Sequence, residues 1–515
     1  MTRAGQIRIL ITIGLVLVLE VACRSGIISV RSMVAPTVMA QSLLGILQTH
    51  EFWGQLAGTV QNIVVALGFA VVVGFATGVV LSRLPRVRRA IEPLISSYYA
   101  LPFFVLYPLF ISLFGMNSIP ITVVGFLYAV MAMVTGTLAG LDRIPLVLSK
   151  LGRTFRMGPV EEALKIKLPA AAPFVFSGVK LALGYAITGV IGSEFILSNS
   201  GLGYSIAFAY NNFEDKTMYG LLLFVIIVVS TITILLHRLE RSIQYRAGSG
   251  RAGMMVDKAP VLQRVVAGLI VAVVIIAVWH VLFLKVGQEA IASPAMALTK
   301  LLRLLGQPEF WENTAETIRA LGLSLLISCV AGTMIGVALG SSRARSDVAE
   351  PMLVTAYALP KVTLYPVVLM FFGIGLTAKV AFGALYGMIP MIILTMDAVR
   401  NMNPTLLRTA RVMRLTVWQT FFYVKVPATI PEIVSGLRIS FSITLLGVMI
   451  GEMFASRRGL GFMIMNSIGV NDTSTMMAVT VLVGLFAIAI NSALIALDDR
   501  VHGGHSGAAL GRARA

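Results

Sequence analysis

About twelve stretches of roughly 20 mostly apolar residues run the length of the chain with only short polar segments between them, and each is long enough to cross a bilayer as a helix. They lie near 7–23, 59–82, 93–115, 119–141, 172–196 and 218–237, then 263–284, 317–340, 351–373, 376–397, 430–453 and 476–497. Only 12% of the residues are charged and 57% are hydrophobic, whereas soluble domains carry about a quarter charged residues. Lipid is therefore the expected solvent, and the fold class is all-α integral membrane.

A formal charge of +18 would suit nucleic acid, but the basic residues sit in short loops between spans and make no single basic face, so no nucleic-acid partner is expected. Their distribution sets an orientation instead. With the N-terminus inside, and with the span-end residues Arg8 and Arg264 counted as cytoplasmic and Lys379 as external, 28 of the 41 Lys and Arg residues fall in cytoplasmic segments, 9 in external segments and 4 (Lys180, Arg319, Lys361, Arg438) within helices. That bias follows the positive-inside rule, so both termini are expected in the cytoplasm. Cys23 and Cys329 lie in or beside apolar spans and the five histidines are scattered, which supports neither disulfides nor a metal site. Arg3 and Arg8 before an apolar run ending in Val21-Ala22-Cys23 imitate a lipoprotein signal. Glu20 is out of place in such a signal, and the counterpart segment near Arg264–Leu284 lies mid-chain, so a retained first helix is expected.

The chain is written twice. A constant offset of 258 aligns Pro36 with Pro294, Glu51-Phe52-Trp53 with Glu309-Phe310-Trp311, Ala100-Leu101-Pro102 with Ala358-Leu359-Pro360, and Gly201-Leu202-Gly203 with Gly459-Leu460-Gly461. Six spans per copy make the copies parallel repeats related by an axis along the membrane normal. The expected organisation is a first module over 1–243, a small, polar and basic cytoplasmic linker over 244–258, and a second module over 259–515. Pro102 and Pro360 fall about nine residues into the third spans, where proline removes a backbone hydrogen bond and kinks a helix. Tolerated packing and a pathway lining both fit them.

Between the fourth and fifth spans of each copy runs a long cytoplasmic segment, 143–168 and 400–426. In the second, Leu406, Leu407, Ala410, Met413, Val417 and Phe421 form an apolar stripe beside Arg408, Arg411 and Arg414, as in an amphipathic helix. Such a helix either fills a groove on a partner or lies on anionic lipid headgroups.

The segment from Leu406 to Phe462, LLRTARVMRLTVWQTFFYVKVPATIPEIVSGLRISFSITLLGVMIGEMFASRRGLGF, with its first-copy counterpart, resembles the signature region of sulfonate, taurine and nitrate-type ABC importer permeases. The resemblance covers both halves nearly throughout. It implies two tandem six-helix type I permease modules in a bacterial cytoplasmic (inner) membrane, not an enzyme and without a cofactor. It also implies two ABC ATPase subunits, an external substrate-binding protein, and small, often anionic or heteroaromatic solutes as partners. The loop would be the coupling helix that seats on the ATPase, through Arg153, Arg156, Met157 and Gly158 and through Arg411, Arg414, Leu415 and Thr416. Both copies depart from the family pattern: its leading Glu falls on Lys150 and Arg408, and its Gly on Arg156 and Arg414. The glycine permits a turn between two short helices, which Arg disfavours where φ must be positive.

No Lys in the chain follows a Gly, so a phosphate-binding Gly-Lys-Ser/Thr cannot be written and ATP must be hydrolysed on another subunit. The rival class, an ion-gradient-driven secondary transporter with twelve helices, needs paired intramembrane acids. Here the spans hold Glu20, Glu194 and Glu452, with Glu92 and Glu350 at helix starts and Asp397 and Glu432 at the ends of theirs. Glu194 and Glu452, near the external ends of the fifth spans, suit either an external gate or the capping of local donors. A non-transporting scaffold is disfavoured by the duplicated, kinked bundle. The expected solute path runs past Pro102, Phe103, Pro360, Lys361, Glu194 and Glu452. Lys361 lies about eleven residues, roughly 16 Å, into its span and so near the midplane. It either faces a cavity or donates to a carbonyl freed by Pro360; its counterpart is Phe103.

Overall fold

The computed structural model describes residues 3–512 except 30–31, 99–100, 102, 145–146, 149–153, 156, 248–260, 289 and 455. The first copy comprises α1 (Arg3–Arg24), α2 (Pro36–Ile46), α3 (His50–Arg83), α4 (Pro85–Ser97), α5 (Tyr107–Phe114), α6 (Ser118–Asp142), α7 (Leu168–Leu197), α8 (Leu202–Asn211) and α9 (Asp215–Ala247). The second repeats the pattern with α10 (Val261–Val286), α11 (Pro294–Leu305), α12 (Pro308–Gly340), α13 (Arg343–Ala358), α14 (Tyr365–Phe372), α15 (Leu376–Arg400), α16 (Pro404–Val412), α17 (Ile430–Phe454), α18 (Leu460–Gly469) and α19 (Thr473–Arg512). Most of the expected linker lies outside the described residues; its first positions, through Ala247, continue α9.

Among the described residues ten helices are long and apolar enough to cross a bilayer. The other two of the twelve expected spans are the third of each copy, and neither is one kinked helix. In the second copy α13 and the segment Lys361–Phe372 meet at a bend of 86°. The cause is local: Leu359, placed before proline, takes an extended backbone (φ −65°, ψ 137°), as that position demands. The chain restarts as a 3-10 turn, Lys361–Leu364, before α14. A depth for Lys361 reckoned along a straight helix therefore does not apply. In the first copy the 3-10 turn Phe103–Leu106 stands in the same place, while Pro102 lies outside the described residues.

Helices in lipid gain little from burying apolar surface against each other, so close approach at small residues has to hold them. α3 meets α6 through Gly74 and Gly78, where an added Cβ would lie 2.7 Å from Cβ of Met133 and 2.7 Å from Cβ of Thr137. α12 meets α15 through the counterpart Gly332 and Gly336, against Met391 and Thr395. α6 and α7 come closest at Gly136 and Gly178, where a Cβ on Gly136 would lie 2.6 Å from Cα of Gly178.

The modules also exchange elements. α1 packs on α13 of the second copy, and α10 packs on α4 of the first. The turn Lys361–Leu364 touches α7, and the turn Phe103–Leu106 touches α17. The apolar residues that α1 and α10 leave uncovered, among them Leu10, Leu15, Leu17, Leu269 and Val273, are the surface that lipid requires.

Candidate solute path and coupling surface

The second-copy loop is two short helices, not one continuous stripe. α16 ends at Val412, and a single turn, Val417–Thr420, follows. Between them Arg414 N–H donates to Arg411 O (3.0 Å) and Leu415 N–H donates to Ala410 O (3.0 Å), the paired bonds of a Schellman helix end. That end needs a left-handed residue, and Arg414 takes it at φ 51°. The turn expected of a glycine is thus made by an arginine. Thr416 then starts the next turn as a capping box with Gln419, satisfying two free N–H groups. Of the expected stripe Met413 and Val417 are left bare, while Leu407 and Phe421 are half-buried and Ala410 is buried; Val412, Trp418, Phe422 and Tyr423 join the bare pair, each more than half exposed. In the first copy Met157 is half-buried and Gly158 exposed, ahead of a helical turn at Pro159–Glu162; Arg153 and Arg156 lie outside the described residues.

Where the modules face one another they line an open cavity of about 520 Å³. The first copy contributes Phe103, Tyr128, Lys180 and Tyr185, and the second Tyr357, Lys361, Tyr386 and Arg438. Lys180 and Arg438 are counterparts, and each is paired within its own module, Lys180 with Glu240 at 2.5 Å and Arg438 with Asp498 at 3.5 Å. Lys361, 6% exposed, donates to Tyr357 O at 3.0 Å and lies 4.9 Å and 5.3 Å from the ring centres of Tyr357 and Tyr386. Phe103, 4% exposed, instead meets the rings of Tyr98 and Tyr128.

Glu194 and Glu452 do not line this cavity. They are 1% and 0% exposed and tie the Gly-Leu-Gly turns to the long second spans. Glu194 accepts from Thr59 Oγ1 (2.8 Å) and Gly203 N–H (3.1 Å), while Thr59 accepts from Leu202 N–H (2.8 Å). Glu452 repeats this with Thr317 (2.8 Å), Gly461 N–H (3.0 Å) and Leu460 N–H to Thr317 (2.9 Å). The turns begin at Gly201 (φ 101°) and Gly459 (φ 126°), where a Cβ would lie 2.2 Å from the carboxyl carbon of its glutamate. Glycine is required there on both counts.

The model of the binding-protein-dependent transport system inner membrane component family matches residues 66–248 and again 329–503. The chain belongs to this family. It is similar to the putative aliphatic sulfonates transport permease protein of Bacillus subtilis (28% identity, 41% of this chain, 77% of the relative). It is also similar to the taurine transport system permease protein of Escherichia coli (25%, 45% and 86%) and the nitrate import permease protein of Leptolyngbya laminosa (25%, 36% and 66%). Less than half of this chain thus covers most of a relative. The chain is a multi-pass ABC importer permease with two such modules fused.

The permease holds one buried group that the charge pattern misplaces. Lys379, counted above among external charges, has 2% of its side chain exposed. It donates to Glu316 (3.0 Å) and Arg458 O (2.8 Å) and stands 4.0 Å from Glu452. The first-copy counterparts of Lys379 and Glu316 are Ile121 and Gly58. That both positions gain charge together in the second copy was the signal available in the sequence. Thr59 and Thr317, also matched by the offset, were missed because a threonine in an apolar span has many bland roles.

Proposed function

We propose that this one chain supplies the whole membrane path of an importer, with modules at 1–243 and 259–515 joined through a cytoplasmic linker at 244–258. Two ATPase subunits dock from below, one on segment 150–168 and one on 408–426. An external binding protein delivers a small solute to the space between the modules, and ATP is hydrolysed on the docked subunits. Both termini are cytoplasmic, in keeping with the threefold excess of Lys and Arg on that side.

The bare apolar face of the second loop carries this reading. Val412, at 82% exposed, Val417, at 83%, and Trp418, at 68%, lie on the segment flanked by Arg411 and Arg414, and such a cluster marks a protein contact. Arg411, Arg414, Leu415 and Thr416 are the docking residues of the second module, as Arg153, Arg156, Met157 and Gly158 are of the first. Solute passes Phe103 and Lys361, the latter beside the break at Pro360, while Glu194 and Glu452 hold the external turns closed.

Single cysteines at Met157 and Trp418 test the docking. With the co-expressed ATPase each is expected to form a crosslink that ATPase removal abolishes. Labelling of either cysteine by a membrane-impermeant maleimide from outside intact cells would overturn both the orientation and the docking.

A further inference from the structure

We propose that α4 and α13 are the rods through which a docked ATPase moves the walls of the cavity, and that Arg88, Asp142, Asp347, Glu350 and Arg400 are positioning residues for transport because they pin each rod to the root of a docking loop. This rests on the permease reading and adds to it the route by which the ATPase acts on the path.

Each loop starts where a long helix ends, at Asp142 for α6 and at Arg400 for α15. Both of these last residues are ion-paired to the helix that opens the third span. The Arg88 guanidinium donates two parallel bonds to Asp142, Nη1 to Oδ1 and Nη2 to Oδ2, at 2.6 Å each. Arg400 divides its fork instead, with Nη1 donating to Glu350 Oε2 at 2.9 Å and Nη2 to Asp347 Oδ1 at 2.8 Å. Forked charged contacts fix orientation as well as distance. In the second module the far end of the loop is held too, since Lys425 Nζ donates to Ser341 Oγ at 2.6 Å, just ahead of α13.

The two copies keep the link and change its residues. Asp142 has Arg400 as its counterpart, and Asp347 has Arg89, the neighbour of Arg88. The charge at the loop root is thus reversed between the copies, and the helix facing it is reversed to match. Packing alone needs no ions at such a place, because an apolar pair of similar volume serves stability as well or better. An opposite pair made twice, with its arms exchanged, points to a joint that has to stay closed while the loop moves.

The rods end at the cavity. Glu350 stands eight residues before the end of α13 at Ala358, roughly 12 Å along the helix, and beyond that end the backbone breaks by 86°. Such a break concentrates movement in a few dihedrals, so α13 can shift as one body while α14 stays seated. Ile95 of α4 and Val354 of α13 line the cavity. Each rod also packs across the module boundary, α4 on α10 and α19, and α13 on α7 and α9. A pull at the loop root therefore changes the gap between the modules through a contiguous chain of bonded and packed elements.

The test uses the full-length chain with its co-expressed ATPase in lipid nanodiscs, with Cys23 and Cys329 replaced by serine. Spin labels go on cysteines placed at Ile95 and Ile443 for the first rod, and at Val354 and Leu183 for the second. Electron–electron resonance should show each separation change when ATP with vanadate is added. Asp142→Ala should cut the first change by at least half, and Arg400→Met the second, with the ATPase crosslinks at Met157 and Trp418 retained. The exchange Arg88→Asp with Asp142→Arg gives the first module the polarity of the second and should restore its change. A pair that only stabilises the fold would lower the melting temperature of Asp142→Ala and leave the distance change intact. No change in the parent with ATPase docked, a full change in both single variants, or an exchange that leaves the change lost would each overturn the proposal. If Asp142→Ala does not fold, Arg400→Met and the exchange decide. Absence of both crosslinks in the parent would fell the permease reading and the proposal with it, whereas the other outcomes arise only with ATPase docked.

Discussion

Lys379 and Glu316 form an ion pair of 3.0 Å between α15 and α12, and the first module has no counterpart to it, because Ile121 and Gly58 stand at those positions. The same acid-to-turn arrangement is therefore held by hydrogen bonds alone in one module and by hydrogen bonds plus a lysine in the other.

Removing that lysine should be felt in the second module only. Lys379→Met leaves Glu316 and Glu452 without their cation, a loss of about 3 kcal/mol by the usual cost of breaking a buried pair. Thermal unfolding of the purified chain should show it, and adding Glu316→Gln should restore part of the loss. An unchanged melting temperature in Lys379→Met would mean the pair contributes nothing.

The threonines should be equivalent across the repeat. Thr59→Val and Thr317→Val each remove a donor to a buried glutamate and an acceptor for a turn N–H, at about 1–3 kcal/mol apiece. Limited proteolysis of the purified chain is the readout: cleavage near 198–201 is expected to rise in the first variant and near 456–459 in the second. Equal cleavage of both turns in either variant would contradict the local role.

Arg414→Gly should tighten the loop between α16 and the turn Val417–Thr420. A non-glycine residue held at φ 51° carries a strain of about 1 kcal/mol that glycine relieves. Slower amide exchange over 410–418 in the isolated chain is the expected sign; faster exchange would show that the arginine side chain holds the turn.

Asp472 gives the contact between α11 and α19 a pH limit. Burial pushes its carboxyl up, but hydrogen bonds from Thr475 and Lys300 outweigh burial and hold it below the ordinary value. A depressed carboxyl stabilises the fold above its unfolded value, roughly pH 4, and loses that contribution as pH falls through the folded value. The bond that ties α11 to the start of α19, Lys300 to Asp472 at 2.9 Å, should therefore weaken only in strong acid. Thermal unfolding at pH 7 and pH 3 compares the two states, and Asp472→Asn should narrow the difference.

The bundle was legible because its signals repeat. Apolar length gives the spans, and the 258-residue offset gives the modules without any contact being known. What stayed hidden depends on pairs far apart in the chain. Lys379 and Glu316 are 63 positions apart, and a lysine three residues into an apolar span looks like a boundary residue until its partner is seen. Pro360 announced a disturbance but not its size, since a kink and an 86° break begin with the same lost hydrogen bond. At Arg414 the side chain argued against a left-handed turn, and the two bonds of the Schellman end prevailed.

The exchange of α1 and α10 between modules orders the birth of the protein. α1 leaves the ribosome well before α13, yet its seat on α13 does not exist until residue 358 has been made. Through most of synthesis α1 must wait without that seat, held within its own module by α2 through the Thr37 N–H and hydroxyl that donate to Glu20, and a nascent chain stopped at the linker would hold a bundle whose α1 lacks its partner helix from the second module. Covalent fusion keeps the late-arriving partner on the same messenger and at the same insertion site, so each α1 meets its own α13 without a search across the membrane.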